Sequence, residues 1–288
     1  MEELPVREYH PPTSFRFKAQ GLEPIDDRVP LEEPLEIEVS GRSVAVLMRT
    51  PGADKALALG YCLSEGLIGS LGEVLLIHHC GSGAEHELLP EGAEPTFGSG
   101  NRVRMLLAPE AARGLAERPT RWVFSGCAGV DAATLGEALH VGHADLRLPP
   151  ALLLQAVTAI AERQEQYRTS GGIHAAALFG AGGELAALAE DVGRHNAADK
   201  AIGMAALAGA LPAALLVATG RASSDIIAKA ARVGIPVVAS FSSTTSLGVR
   251  LAEAAGITLI GYLRRNRFMV YTHPERIAAD PARPAPRR

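Results

Sequence analysis

The sequence predicts an α/β protein in which a C-terminal layered α/β domain follows a smaller N-terminal α+β domain. The first observation is a regular alternation of strand-like apolar runs and amphipathic helical runs over residues 214–263. Such alternation favours a parallel sheet with right-handed crossover connections. The second observation is composition, because 47% hydrophobic and 21% charged residues in a chain of 288 provide a sizeable core. A chain of this length forms one large domain or two of ordinary size.

The N-terminal domain is predicted to span residues 15–118. Two β-rich runs within residues 34–50 are joined by Ser40-Gly41, a dipeptide typical of a two-residue hairpin turn. Helical spacing of apolar residues predicts a helix over residues 53–68, in which Cys62 packs as a small hydrophobic residue. Two further predicted strands complete the domain, at residues 73–80 and 101–108.

The C-terminal domain is predicted to span residues 147–275. An amphipathic helix with proline at its start opens the domain, and two strands joined by a glycine-rich turn and a second helix follow. These elements are predicted at residues 150–167, 171–179, 183–191 and 194–209. The rest of the chain is predicted to form a flexible lead, a cysteine-containing connection and a solvated tail, at residues 1–14, 119–146 and 276–288.

Composition and charge argue against several classes of protein. A net charge of -4 disfavours a globally basic nucleic-acid-binding surface. No apolar run approaches the ~18 residues of a transmembrane helix, and the acidic start lacks the regions of a secretory signal, so a cytoplasmic protein is expected. Cys62, Cys80 and Cys127 are odd in number and widely spaced, which argues against a disulfide framework and leaves at least one thiol free.

Polar loops follow the three predicted parallel strands, and ligands of open α/β sheets bind at that edge. The loops lie at residues 219–221, 240–245 and 262–267. Their hydroxyls, glycine and arginines, together with helix N-termini, favour an anionic ligand that carries phosphate. The alternative is that Ser223, Ser224 and Thr244 are simple helix caps. The sequence has neither a dinucleotide-binding glycine fingerprint nor a P-loop.

The stretch FSGCAGVD places Cys127 in a loop of small residues between Gly126 and Gly129. The glycines allow close approach to a ligand, and a helix is predicted just after the loop. Thiolates are favoured by nearby N–H donors and cations, so this position suits a reactive cysteine. The alternative is a partly buried loop cysteine without chemistry, and the local sequence leaves both open.

A second polar stretch, EDVGRHNAADK, follows the second strand of the C-terminal domain. If a helix starts within it, His195 and Asp199 share one helix face. Asn196 and Lys200 share another. Asp191 is then a natural helix cap, and the helix dipole favours a neutral histidine that accepts a proton or makes hydrogen bonds.

The segments GGIHAAALF and EDVGRHNAADKAIG and residues 218–272 closely resemble the formate dehydrogenase accessory sulfurtransferase family. The similarity runs from about Arg42 to Tyr271 and is weaker before Trp122. It implies that the C-terminal domain is an α/β layer of the cytidine-deaminase type. It also implies a homodimer.

Members of this family pass sulfur from a cysteine desulfurase, as a cysteine persulfide, to the molybdenum cofactor that formate dehydrogenase requires. The resemblance therefore implies a sulfurtransferase with Cys127 as the catalytic persulfide carrier and molybdenum bis(molybdopterin guanine dinucleotide) as bound substrate. The family motif is Cys-x-x-Cys, and Val130 stands here where the second cysteine would be. A single cysteine still carries a persulfide, but it cannot resolve that persulfide into an internal disulfide.

The cofactor site is assigned partly by the resemblance and partly by strand-end geometry. The stretch from Tyr262 to Arg267 matches the one that the family uses against the cofactor. Strand-end geometry adds residues from the two earlier loops and from the EDVGRHN stretch. The predicted cofactor-binding residues are Tyr262, Leu263, Arg264, Arg265, Asn266, Arg267, Arg221, Ser242, Thr244, Arg194 and His195.

Two other functions are alternatives to sulfur transfer. A zinc deaminase needs H-x-E and P-C-x-x-C pairs, whereas His174 is followed by Ala175-Ala176 and no Cys-x-x-Cys occurs, so no permanently bound metal is expected. The second is a non-catalytic chaperone, consistent with Val130, that binds the molybdenum cofactor and inserts it into apo formate dehydrogenase.

Overall fold

The computed structural model of the protein describes residues 8–11, 13–80, 101–115, 121–122, 139–142 and 145–278. Cys127 and Val130 lie outside these residues, as does most of the helix predicted after them. The described part is a mixed α/β structure with two large sheets, of five and six strands, and two short ribbons. Among its helices none is long and apolar enough to cross a membrane.

Two antiparallel ribbons precede the first large sheet, and neither is predicted from the sequence. One pairs β1 (Glu8–Tyr9) with β4 (Val29–Pro30), and the other pairs β2 (Ser14–Lys18) with β3 (Gly21–Ile25). The first strand falls within the segment predicted to be a lead. Short strands with several prolines between them give little periodicity to read.

The five-stranded sheet confirms the predicted strands and helix of the N-terminal part. Ser40 and Gly41 have φ values of 48° and 80°, and two positive φ angles are what the favoured two-residue hairpin turn requires. The sheet contains β5 (Glu33–Val39), β6 (Arg42–Arg49), β7 (Val74–Cys80), β8 (Arg102–Leu107) and β9 (Arg121–Trp122). Their order is β7-β8-β5-β6-β9. Helices α1 (Asp54–Ser64) and α2 (Pro109–Leu115) accompany them.

The six-stranded sheet confirms the alternation read from the C-terminal part. The strands are β10 (His174–Phe179), β11 (Leu185–Asp191), β12 (Leu215–Ala218), β13 (Val237–Ser240), β14 (Thr258–Gly261) and β15 (Met269–Val270). Strands β12, β13 and β14 are parallel neighbours, as predicted, and the remaining pairings of the sheet are antiparallel. Their order is β11-β10-β12-β13-β14-β15.

The helices around this sheet match the predictions except at one point. They are α3 (Pro150–Arg163), α4 (Glu165–Ser170), α5 (Arg194–Leu207), α6 (Ser224–Arg232) and α7 (Ser246–Ala254). The single helix predicted over residues 150–167 is wrong, because Gln164 leaves the helical region with ψ 80° and separates α3 from α4. The cytidine-deaminase type of layering stays a prediction, as do the domain boundaries.

A close helix crossing joins the two large sheets. A Cβ added to Gly60 of α1 would lie 1.8 Å from the carbonyl oxygen of Asp199, and one added to Gly203 of α5 would lie 1.9 Å from that of Ala56. Two glycines therefore let the backbones touch. The largest apolar cluster contains residues of both helices and both sheets, so the N-terminal and C-terminal parts share one core.

Candidate functional site

Hydrogen bonds tie the three predicted strand-end loops into one edge of the six-stranded sheet. The Ser240 hydroxyl, at the end of β13, donates to the Gly220 carbonyl oxygen of the loop after β12 at 2.6 Å. The Ser242 carbonyl oxygen accepts from the Tyr262 N–H of the loop after β14 at 2.9 Å. The parallel register of the strands brings their carboxyl ends to the same edge. The geometry thus unites loops that are far apart in sequence.

The loop after β14 presents an aromatic ring beside several cations. Tyr262 has φ 50°, uncommon for a non-glycine residue, and its side chain is 42% exposed. The Arg264 N–H donates to the Arg267 carbonyl oxygen at 2.8 Å and closes a turn, while Leu263 is buried beneath it. The exposed polar residues of this turn are Arg264, Arg265, Asn266 and Arg267.

The loop after β12 packs against the start of α5. A Cβ on Gly220 would lie 2.9 Å from the Cβ of Arg194, so only glycine admits this approach. His174 Nδ1 lies 3.4 Å from Thr219 Oγ1. Burial, followed by the guanidinium groups of Arg194 and Arg221, lowers the pKa of His174. The edge of the six-stranded sheet is therefore electropositive around the neutral imidazole of His174.

Ser242 and Thr244, the two hydroxyl residues predicted in the loop after β13, are half-buried. Thr244 forms a parallel bridge with Ala222, and Arg221, next to it, is exposed. Of the hydroxyls considered as caps, Ser223 occupies the N-cap position of α6, but its side chain makes no cap hydrogen bond. Thr244 precedes the N-cap of α7, which is Thr245, whose hydroxyl accepts from the Gly248 N–H at 3.1 Å.

Asp191, just before α5, is not the predicted helix cap but binds groups from several elements. Its Oδ1 accepts from the Gly193 N–H at 2.8 Å and from Asn196 Nδ2 at 3.0 Å. Its Oδ2 pairs with Lys200 Nζ at 2.6 Å and accepts from the Thr50 N–H at 3.2 Å. The shared face of Asn196 and Lys200 is confirmed. The carboxylate therefore joins β11, α5 and the N-terminal part, and it does not cap the first turn of α5.

Two pairs of side chains face each other between α5 and α6. His195 Nε2 lies 3.8 Å from Asp225 Oδ2, and one helical turn further Asp199 Oδ2 lies 2.9 Å from Lys229 Nζ. Burial, then the positive charges of Arg194 and Lys229, lower the pKa of His195 to about 3. Burial, the largest of these causes, therefore favours the neutral state that is expected for His195.

The Lys229 ammonium of α6 is enclosed by groups from two other helices, α5 and α1. Besides Asp199, it donates to Glu65 Oε1 at 2.9 Å and to Ser64 Oγ at 3.0 Å, both at the end of α1. Ser64 in turn donates to Asp199 at 2.6 Å. Sequence reasoning missed this cluster. One feature of the sequence indicates the cluster: Lys229 lies within the apolar face of α6, flanked by Ile226 and Ala230.

The described cysteines differ in accessibility. Cys62 is fully buried, with its Sγ 3.9 Å from the Met105 thioether, which confirms the predicted packing role. Burial, then the Asp199 carboxylate, raise the pKa of this thiol far above its usual range, so it stays a thiol. Cys80 is half-buried at the end of β7. Cys127 lies outside the described residues.

The fold and this edge define an α/β protein with a candidate anion-binding site at the carboxyl ends of its parallel strands. The family model described as the FdhD/NarQ family matches residues 30–278. The chain belongs to the FdhD/NarQ family, which confirms the resemblance read from the sequence.

Curated relatives match most of the chain. It is 40% identical to the sulfur carrier protein FdhD of Anaeromyxobacter dehalogenans strain 2CP-1 over 262 residues, 88% of this chain and 89% of that protein. It is 37% identical to the protein of the same name from Sulfurisphaera tokodaii over 268 residues, 91% of this chain and 96% of that one.

A solved structure shares the fold. It is a crystal structure described as that of a formate dehydrogenase accessory protein from Desulfotalea psychrophila. The two structures superpose with a TM-score of 0.72 at 26% sequence identity, covering 95% of this chain and 100% of the other. The mixed α/β architecture is therefore that of an experimentally determined relative.

Proposed function

We propose that this protein is a sulfurtransferase that carries sulfur as a persulfide on Cys127. The sulfur comes from a cysteine desulfurase. It is delivered to molybdenum bis(molybdopterin guanine dinucleotide), the substrate that formate dehydrogenase then requires as its cofactor. Support comes from the relatives named as sulfur carriers, which match this chain over most of its length.

The position of β9 is the structural observation that carries the proposal. Trp122 pairs in parallel with Val46 of β6. Thr50 directly follows β6, its N–H donates to Asp191 at the end of β11, and its carbonyl oxygen accepts from Lys200 of α5. Cys127 follows Trp122 by five residues, and five residues span at most about 18 Å. Thr50 lies about 13 Å along the chain from Val46, so chain length permits Cys127 to reach the level of Thr50, next to the junction of β11 and α5.

The chemistry we propose needs one thiolate. The Cys127 thiolate attacks the outer sulfur of a desulfurase persulfide, the sulfur–sulfur bond breaks, and the desulfurase cysteine leaves as a thiolate. The acceptor then supplies the electron pair of its new bond to the outer sulfur and is formally oxidised by two electrons, the sulfur–sulfur bond breaks, and Cys127 leaves as a thiolate. Each step moves one sulfur atom, and neither step uses a second cysteine at position 130.

The strand-end edge suits the proposed substrate. Exposed guanidinium groups bind phosphate as charge-assisted hydrogen-bond donors, and the turn after β14 presents those of Arg264, Arg265 and Arg267. The exposed ring of Tyr262 offers a face on which a base stacks. Arg221 and the half-buried Ser242 and Thr244 border the same edge.

Intact-mass measurement after incubation with a cysteine desulfurase and cysteine tests the proposal. The wild type should gain one reducible sulfur, and Cys127→Ala should gain none. Cys80→Ala is the matched control, since it removes the half-buried thiol at the end of β7 and should label as the wild type does. Labelling of Cys127→Ala, or its loss in Cys80→Ala, would overturn the assignment.

Val130 favours one second candidate, a non-catalytic chaperone that inserts the molybdenum cofactor into apo formate dehydrogenase. Full rescue of formate dehydrogenase by Cys127→Ala, with guanine-nucleotide binding intact, would select the chaperone over sulfur transfer. Location in the cytoplasm and a homodimer stay predictions. Sedimentation of the full chain tests the dimer.

A further inference from the structure

A groove of about 450 Å³ opens at the amino ends of β12 and β13, at the end of the six-stranded sheet opposite the strand-end loops. Ala214 and Pro236, which directly precede these two strands, form part of its wall. Most of the wall is apolar, and it also includes Leu146, Ala181, Ala186, Leu211 and Pro212. Its volume lies within the range of ~300–1,000 Å³ that is typical of ligand sites. The groove therefore has room for a segment with small apolar side chains.

Among the described residues that line the groove, Glu184 alone is charged. It lies on the turn from β10 to β11 and is exposed. A Cβ added to Gly182 would lie 2.9 Å from Glu184 Oε2, and one added to Gly180 would overlap Glu184 Oε1. The two glycines therefore leave room for the carboxylate to fold back over the turn. An apolar wall with one carboxylate favours an apolar occupant that ends in a cation.

The chain leaves Ala278 in the direction of this turn. The Ala278 N–H donates to the Leu148 carbonyl oxygen at 2.9 Å, and the bridge between the two segments is parallel. The chain after Ala278 therefore continues toward the start of α3, which follows Leu148. There the Leu152 side chain lies 3.3 Å from the position of a Cβ on Gly183. Gly183 is next to Glu184, so the residues after Ala278 start close to the groove.

Residues 279–288 follow Ala278 and are rich in proline, alanine and arginine. Proline favours the polyproline II conformation, which has about three residues per turn and a rise of about 3.1 Å per residue. Pro281, Pro284 and Arg287 are spaced by three residues and so share one face of such a helix. Arg287 follows Ala278 by nine residues, which corresponds to about 28 Å of polyproline II chain. Two prolines followed by a guanidinium on one face complement an apolar groove with one carboxylate.

We propose that residues 281–288 dock in this groove as a polyproline II segment, with the Arg287 guanidinium on the Glu184 carboxylate. Proline lowers the conformational entropy that docking costs, and attachment to Ala278 gives the segment a high effective concentration. A second copy of the chain fits less well. The groove is lined by 12 described residues, whereas a stable interface takes about 20–30 residues a side. The inference goes beyond the proposed function, because it concerns the opposite end of the sheet.

Removal of Arg288 by carboxypeptidase B, followed by intact-mass measurement of the full chain, tests the proposal. A docked segment is digested only while it is released, so the wild type should lose Arg288 at least ~10-fold more slowly than a synthetic peptide of residues 279–288. Glu184→Gln removes the charge of the groove and should speed the loss. Ala181→Phe fills the groove from an exposed position of the turn and should bring the rate close to that of the peptide.

Glu162→Gln is the matched control. Glu162 is 67% exposed on α3 and is not among the residues that line the groove, so this variant should be digested as the wild type is. A charge exchange tests the pairing itself. Glu184→Arg should speed the loss of Arg288, and Glu184→Arg combined with Arg287→Glu should restore protection. Each rate is compared with that of the free peptide of the same sequence, and unfolding curves establish that each variant is folded.

Three results would overturn the inference. Digestion of the wild type at the rate of the free peptide would leave the groove to another occupant. Protection that is unchanged in both Glu184→Gln and Ala181→Phe would place the segment elsewhere on the protein. Protection that disappears on dilution would assign the groove to the segment of a second copy and exclude docking within one chain.

Discussion

Replacing Lys229 with methionine removes the cation that joins α6 to α5 and α1 while keeping the length and volume of the side chain. The side chains of Lys229 and Asp199 are 5% and 2% exposed. Glu65, at 22% exposed, can turn to solvent, whereas Asp199 is left as a buried carboxylate without its counter-ion. Breaking a buried pair in this way costs about 3–5 kcal/mol of unfolding free energy.

Urea denaturation at neutral pH measures this loss as a lower midpoint at constant slope. The double variant Lys229→Met with Asp199→Leu should recover most of it, because an apolar replacement of both partners leaves no orphaned charge. The loss in the single variant should shrink at acidic pH, since protonation neutralises the orphaned carboxyl, whose pKa burial raises. A single variant within ~1 kcal/mol of the wild type, or a double variant no better than the single, would refute the reasoning.

Three further predictions follow from the same helices. Gly60→Ala should unfold at much lower urea than Gly142→Ala, because the new Cβ meets the Asp199 carbonyl oxygen at 1.8 Å, whereas nothing lies within 4 Å at Gly142. Cys62 should resist alkylation at alkaline pH until the protein unfolds, because burial raises the pKa of its thiol; peptide mapping of the label checks this. His195 has its folded pKa lowered to about 3, so the unfolded state binds its proton first and stability should fall as pH drops below about 6.5. His195→Gln should flatten that slope in acid titrations.

Local rules account for the parts of the fold that the sequence predicts well. The hairpin at Ser40-Gly41 follows from turn chemistry within two residues, and the strand–helix alternation from Leu215 onward follows from periodicity within each element. The break at Gln164 escaped prediction because the apolar stripe of α3 gives way there to polar residues that fit either a helix or a turn. Element type is a local property, and element ends depend on neighbouring contacts.

The contacts that build the site are between residues far apart in sequence, and so no local pattern shows them. Lys229 meets Glu65 across 164 positions of the chain, and the Thr50 N–H meets Asp191 across 141. The sequence could place Arg221 and the arginines after β14 at strand ends, because parallel strands share an edge. It could not show that α1 would complete a cluster under His195.

Strand β6 gives the N-terminal part a role in the proposed reaction beyond folding. β9, which leads toward Cys127, pairs with β6 at Ala45 and Val46. Just beyond, the Met48 carbonyl oxygen accepts from Asn196 Nδ2 at 2.7 Å, in the first turn of α5. Strand β6 thus positions both the strand that leads toward Cys127 and the first turn of α5, which contains His195. Because α1 packs closely on the same helix at Gly60 and is linked to it through Lys229, the strand that leads toward Cys127 and the start of α5 are attached to one shared core.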